Sequence, residues 1–394
     1  MKPATNSLVA TAALAFASVL SGTSLIPIVR PLMSWIAPGN ESAGHAFMAL
    51  NLLGGVLAAP VIVRAARRAS GRSKLVTRLA LADGALLLLI ALRLPLAATL
   101  AVRTIQGALN IGVLSLLTGA VRAGDDSSRG SRYGLLGTAM MLAVALGAPL
   151  GTLCLTLGLR APLVLSAALN FAVALCVPSA QLDERELVVA TSWSFRPVWR
   201  PALWVFAERF SVGLFVVTFA FHVRSCLAVS DAKCGWMLTA FLVPFALAVY
   251  PAGRITDRIE GAVVGAVGLS LYGLGFLALS AATPAQLLLL MPVLGLSSAA
   301  IFASAMREAA GAPDSESRVV AMSWLNSAGN LGMMLGTALA GVVSALSRAQ
   351  GAGPHSAHVV VFGIAGATSL CVAALTLCVL LATQRSLRSV RVRS

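Results

Sequence analysis

Twelve times along this chain a run of about twenty residues passes with almost no charge. A run of that length and character is what an α-helix needs to cross the roughly 30 Å hydrocarbon core of a bilayer. The runs lie near residues 6–29, 44–66, 75–94, 96–119, 132–156 and 160–180, and again near 200–222, 234–253, 261–282, 285–306, 318–346 and 358–383. Between the two sets stands one polar stretch, "QLDERELVVATSWSFRPVWRP" (181–201). Of the 394 residues, 58% are hydrophobic and 11% charged. A soluble domain carries about 25% charged residues, so too few remain here to cover a water-facing surface. The expected fold class is an all-α integral membrane protein of twelve transmembrane helices. They group as an N-terminal six-helix half (1–180), a linker (181–199), a C-terminal six-helix half (200–384) and a basic tail (385–394). The first run follows Lys2 but exceeds the roughly 7–15 apolar residues of a secretory signal. It reads as the first span, not cleaved.

The formal net charge of +15 is explained by topology better than by nucleic acid, because the charge is spread through short loops and cytoplasmic loops collect Lys and Arg. With an even number of spans both ends share one side. Twenty-one of the 29 basic residues fall on that side, six on the other, and Arg103 and Arg209 fall inside spans. The positive-inside rule then places both termini and the central linker in the cytoplasm. Lysine is rare, with only Lys2, Lys74 and Lys233. With the Ala and Gly richness this suggests a GC-rich bacterial genome, and hence the bacterial cytoplasmic membrane.

The two halves echo each other. "DDSSRGSRYG" (125–134) and "DSESRVVAM" (314–322) each place acids and Ser before a helix and an Arg at its start. Asp or Ser there satisfies free backbone N–H groups and suits the positive helix end. Recurrence one six-helix unit later points to a parallel repeat.

Twelve spans, a 6+6 split and a cytoplasmic linker resemble the major facilitator superfamily. "RTIQGALNIG" (103–112) resembles that family's Arg-x-x-Gln-Gly motif at Arg103, Gln106 and Gly107. "ALGAPLGT" (145–152) resembles the Gly/Pro motif of its antiporters at Gly147, Pro149 and Gly151. "GRITDR" (253–258) resembles its loop motif at Gly253, Asp257 and Arg258. The resemblance covers nearly the whole chain, and it implies pseudo-symmetric halves and a cavity lined by spans 1, 4, 7 and 10. One departure stands out. The loop motif is usually most marked after the second span, where this chain has "VRAARRASGRSK" (63–74), and no acid occurs between Glu41 and Asp83. In the family that acid latches the cytoplasmic side, so the resemblance leaves the latch to other contacts, with Asp257 as the second-half copy.

Charges at membrane depth are costly and are functional candidates by default. Four stand out: Asp83, Arg103, Glu208 and Arg209. Arg103 lies about seven residues into its span, roughly 10 Å deep at 1.5 Å per residue, and Asp83 sits at similar depth in the preceding antiparallel span. One reading is an ion pair tying spans 3 and 4 together. The other puts Arg103 at the cavity with Gln106 and Asn110, because offsets of 3 and 7 share one helix face and a polar stripe faces protein or water rather than lipid. Glu208 lies about eight residues into span 7. Arg209 projects about 100° away, so the two are not expected simply to neutralise each other. Glu208 either satisfies a helix end or serves as the proton-coupling carboxylate, with Asp83 as runner-up.

Ser323, Asn326, Ser327 and Asn330 form a second polar stripe, read as interhelical packing ahead of substrate contact. Gly147, Pro149 and Gly151 read as gating or packing elements. His45 and His222 fall near outer span ends and read as interfacial. Cys154, Cys176, Cys371 and Cys378 behave as small apolar residues. Cys226 and Cys234 share an outer loop, where an oxidising face would permit a disulfide. Zinc-ligand spacing, Walker glycines and a nucleophile elbow are absent, so no cofactor, no metal and no enzyme activity is expected. The expected function is proton-coupled efflux of a small amphipathic solute or drug by a monomeric transporter. An importer of a sugar or organic acid and a transport-inactive scaffold or sensor are the alternatives.

Overall fold

The computed structural model describes residues 3–38, 42–68, 71–121, 126–180, 198–312, 315–351 and 354–391. The expected linker falls almost wholly outside them. Among the described residues the chain is helical almost throughout. The helices are α1 (Pro3–Thr23), α2 (Val29–Ile36), α3 (Ser42–Arg68), α4 (Arg72–Ala91), α5 (Leu96–Gly119), α6 (Asp126–Leu155), α7 (Ala161–Cys176), α8 (Trp199–Ser225), α9 (Asp231–Thr256), α10 (Gly261–Leu279), α11 (Pro284–Ala309), α12 (Ser315–Ala349) and α13 (Pro354–Arg391). Eight described helical segments are both long and apolar enough to cross a membrane. The chain is a multi-pass membrane protein.

Every apolar run of the sequence falls on a helix, but the first does so in two pieces. The run expected as one span over 6–29 stops at Thr23, passes through a 3-10 turn (Ile26–Ile28) and restarts as the short α2. The cause is Pro27, which has no N–H to donate and crowds the preceding turn. The other boundaries follow from local chemistry. Pro95, with φ of −53°, is the N-cap of α5, and Arg93 takes a left-handed φ of 59° in the tight turn before it. At the start of α11, Thr283 and Gln286 form a capping box. The Thr283 N–H donates to Gln286 Oε1 over 2.8 Å, the Gln286 N–H donates to Thr283 Oγ1 over 3.4 Å, and Pro284 stands at the first helical position.

The chain divides into two compact units. The first comprises Met1–Asp125, Leu135–Val198 and Ala309–Leu331, the second Asp126–Gly134, Trp199–Glu308 and Gly332–Ser394. In the first unit, α1, α3, α4, α5 and α7 enclose a core that includes Leu14, Ala58, Ile62, Val76, Ala80, Val113, Leu116 and Val173. In the second unit the core is aromatic. Phe215 stacks on Phe219 with centroids 4.6 Å apart and meets Phe276 edge-on, and the buried Trp204 indole donates to Thr376 Oγ1 over 2.9 Å. Outward faces carry Leu57, Val61, Leu153, Leu175, Leu289 and Leu381. A surface this apolar is built for lipid contact.

Candidate functional site

In the first unit Asp83 of α4 and Arg103 of α5 lie together inside the apolar core. Asp83, Arg103 and Gln106 are all buried, at 0, 3 and 1% exposure. Asp83 and Arg103 form no direct ion pair. Gln106 stands between them: its Nε2 donates to Asp83 Oδ1 over 2.7 Å, and its Oε1 accepts from Arg103 Nη1. The same Oε1 accepts from Asn51 Nδ2 of α3 over 3.0 Å. Asn110 closes the carboxylate from the other side, its Nδ2 lying 3.3 Å from Asp83 Oδ2 and 3.3 Å from the Ser18 carbonyl. The Arg103 guanidinium lies over the Phe47 ring at 4.6 Å from its centroid, a favourable place for a cation out of water.

Each partner has a local reason to be there. The 3 and 7 offsets put Arg103, Gln106 and Asn110 on one face of α5. Gly107 then lets α3 approach, since a Cβ there would run into the Asn51 carbonyl and side chain. That close approach brings Asn51 to Gln106. Asn170 of α7 extends the polar layer, donating to Ser21 Oγ over 2.9 Å. Asn51, Asn170 and Phe47 were not singled out in the sequence. The two asparagines carried a readable signal, an amide inside an apolar run. Phe47 carried none.

In the second unit, Glu208 of α8 is 1% exposed. Its Oε1 accepts from Ser298 Oγ of α11 over 2.5 Å. Its Oε2 lies 3.2 Å from Arg209 Nε. The expectation that Arg209 leaves Glu208 uncompensated is therefore corrected: the arginine stem curls round the helix and brings its charge back. A lone buried carboxylate costs too much for a nearby guanidinium to stay away. The contact lacks hydrogen-bond alignment, so it is a charge pairing rather than a fork. The guanidinium also sits 5.9 Å and 5.8 Å from the ring centroids of Phe245 and Phe302.

The loop-motif acid is placed at a helix end. Asp257, just after α9, accepts the backbone N–H groups of Gly130 (2.6 Å) and Ser131 (2.9 Å), and the Ser131 hydroxyl as well. Gly130 and Ser131 are the fifth and sixth residues of α6, so the carboxylate sits on backbone N–H groups close to the positive helix end. Gly130 and Gly253 make the contact possible, since a Cβ on either would strike the other's carbonyl. Arg258 is exposed. Gly147 and Gly151 of α6 lie against Thr23 and Ser24 at the end of α1, where Thr23 Oγ1 donates to the Ala143 carbonyl over 3.1 Å; Pro149 lies within α6.

In α12, Asn326 Nδ2 donates to Ser115 Oγ over 3.0 Å and Ser327 Oγ donates to the Gly55 carbonyl over 3.1 Å. Asn330 lies beside Gly55, and Ser323 is fully buried. The second unit also holds an ion pair that the sequence did not announce, Arg200 Nη2 to Glu308 Oε2 at 2.8 Å. Cys226 and Cys234 both stand as thiols, so the suggested disulfide is absent. The side chain of His45 lies outside the described residues.

Residues 201–392 match the family model of the Major Facilitator Superfamily. No curated protein sequence matches the chain. Among solved structures, the human organic anion transporter MFSD10 (TETRAN) is similar with a TM-score of 0.73 and 16% identity, covering 95% of this chain and 100% of that one. A bacterial homologue of the iron transporter ferroportin, in its outward-facing state, gives 0.73 and 13%, covering 96% and 99%. The Major Facilitator Superfamily transporter FucP, in the outward conformation, gives 0.68 and 15%, covering 94% and 98%. At these identities the likeness is one of fold. The chain has the fold of the major facilitator superfamily, and its second half carries the sequence signature of that family.

Proposed function

We propose that this chain is a secondary transporter of the major facilitator superfamily, exporting a small amphipathic organic solute in exchange for protons by alternating access. It works as a monomer in a bacterial cytoplasmic membrane. It has twelve spans, cytoplasmic termini and two six-helix halves, 1–180 and 200–384, that rock about a central site. The antiporter-like Gly147, Pro149 and Gly151 support the export direction, as packing points on which a helix can bend.

The observation that carries this reading is the buried chain Asp83–Gln106–Arg103. A primary amide has an acceptor at one end and donors at the other. As long as Asp83 is ionised, Gln106 turns its donors to the carboxylate and its acceptor to Arg103. Once Asp83 takes a proton on Oδ1, that oxygen becomes a donor. The amide then turns its acceptor to Asp83 and its donors to Arg103, and the guanidinium loses its bond. One proton on α4 thus frees a cation on α5, and that cation is the group a transport cycle can move.

Asp83 takes the coupling role ahead of Glu208 for a physical reason. The direct partners of Asp83 are neutral amides. Protonating Glu208 would instead give up a buried charge pairing with Arg209. Asn110 and Arg103 belong to the substrate-facing candidates, and Arg209 to the support of Glu208.

The test uses everted membrane vesicles from a strain stripped of its own exporters, with a panel of amphipathic dyes and drugs. Uncoupler-sensitive accumulation is expected for the native chain and is lost in Asp83→Asn. Accumulation only in right-side-out vesicles would make the protein an importer. Flux of no solute across the panel would support a scaffold.

A further inference from the structure

Three potential metal ligands converge in the second unit at the junction of α8 and α13. His222 lies near the end of α8, and Cys226 follows one turn later. The Cys226 N–H donates to the His222 carbonyl over 2.9 Å, so the helical register continues and both side chains share a face. His358 comes from the first turns of α13, with Nδ1 3.6 Å from Cys226 Sγ. One ligand atom from each of the three lies within 4.8 Å of the other two.

His222 is the telling residue. It is 1% exposed, yet neither ring nitrogen has a hydrogen-bond partner among the described residues. Buried polar atoms are almost always bonded, and an orphaned pair calls for an unseen partner. The ring is held by its faces and edges: Phe362 and His358 both meet it at 90°, with centroids 5.4 Å away. Packing therefore fixes the imidazole without using its nitrogens.

We propose that His222, Cys226 and His358 bind a zinc-class transition-metal ion. Two imidazoles and a thiolate are the donor set such an ion prefers, at about 2.0–2.3 Å per bond. Those bond lengths put tetrahedral ligand atoms roughly 3.3–3.8 Å apart, so the Cys226–His358 separation already fits and the wider ones close by rotation of the Cys226 and His358 side chains toward the fixed His222 ring. Three ligands leave one position for water or a fourth group. His355, exposed and one turn before His358, has its ring centroid 5.9 Å from that of His222 and is the candidate. The site joins the two helices, and it stands independently of the Asp83 network.

The experiment titrates cobalt(II), as a spectroscopic stand-in for zinc, into the tag-free full-length chain in detergent. One equivalent is expected to bind, with tetrahedral d–d bands and a thiolate-to-cobalt charge-transfer band, and zinc displaces it. Cys226→Ser removes the charge-transfer band. His222→Ala and His358→Ala each weaken binding at least about tenfold. Cys371→Ser, on the exposed face of α13, changes nothing. The native chain, judged folded by size exclusion and circular dichroism, overturns the proposal if it shows no charge-transfer band. So does a folded Cys226→Ser chain that keeps the band.

Discussion

Arg103 and Asp83 are both buried in the first unit, and Gln106 separates them: its amide donates to the carboxylate and accepts from the guanidinium. The pair is linked by a neutral group that has a direction. That distinguishes it from a direct salt bridge, which would survive exchange of its partners. Here Asn110 points a donor at position 83 and the Phe47 ring faces position 103. The second of these surroundings is specific to the sign of the charge.

The double exchange Asp83→Arg with Arg103→Asp is therefore expected to give no transport, although net charge is unchanged. An aspartate at 103 would face the negative surface of the Phe47 ring, which no turning of the neighbouring amides relieves. Uptake into everted vesicles measures this; restored flux would mean that a simple ion pair is all the site requires.

Gln106→Leu removes the bridge and leaves a buried carboxylate, a guanidinium and the Asn51 amide short of partners. A loss of about 3 kcal/mol in stability is expected, in the range for stranding charged buried groups. Thermal unfolding in detergent reads it as a clear drop in Tm. Gln106→Asn, which keeps the amide but shortens the reach, should lie between.

For Glu208 and Arg209 the double-mutant cycle is informative. Arg209→Met alone strands a buried carboxylate and should cost about 3–5 kcal/mol. Combining it with Glu208→Gln removes both charges and should recover most of that loss, since the amide can still accept from Ser298. Single-variant losses that add up to the loss in the double variant would show that the 3.2 Å contact carries no energy.

Asp257→Ala removes the acceptor of two backbone N–H groups and a hydroxyl near the start of α6 and should lower stability by about 1–2 kcal/mol, while Asp257→Asn, which retains one acceptor, should lose less. Hydrogen exchange at Gly130 and Ser131 localises the effect. Gly253→Val should be worse than either, because it drives a side chain into the Gly130 carbonyl.

The Arg200–Glu308 pair is a contrasting case. Its side chains are 28 and 14% exposed, so solvent screens it, and Glu308→Gln should cost no more than about 1 kcal/mol. Added salt should shrink even that difference in Tm.

Residue order determined a good deal by itself. Apolar runs set where helices form, because a helix is the only single-segment way to satisfy the backbone in lipid. The 3 and 7 offsets placed Arg103, Gln106 and Asn110 on one face, because helical periodicity is local. The same locality explains the break near Thr23, where Pro27 was visible but its effect depended on where the run was divided. Only the tertiary structure decided which helix that face meets. It set Gln106 between Arg103 and Asp83, turned Arg209 back onto Glu208, and carried Asp257 to the N-terminal part of α6. It also gathered His222, Cys226 and His358, whose helices are more than a hundred residues apart in the chain. The physical reason is one of range. Backbone hydrogen bonding and side-chain pitch act over a few residues and can be read in order. The partner of a buried charge is chosen by close packing between helices, and a long flexible side chain goes wherever its charge is least expensive to bury.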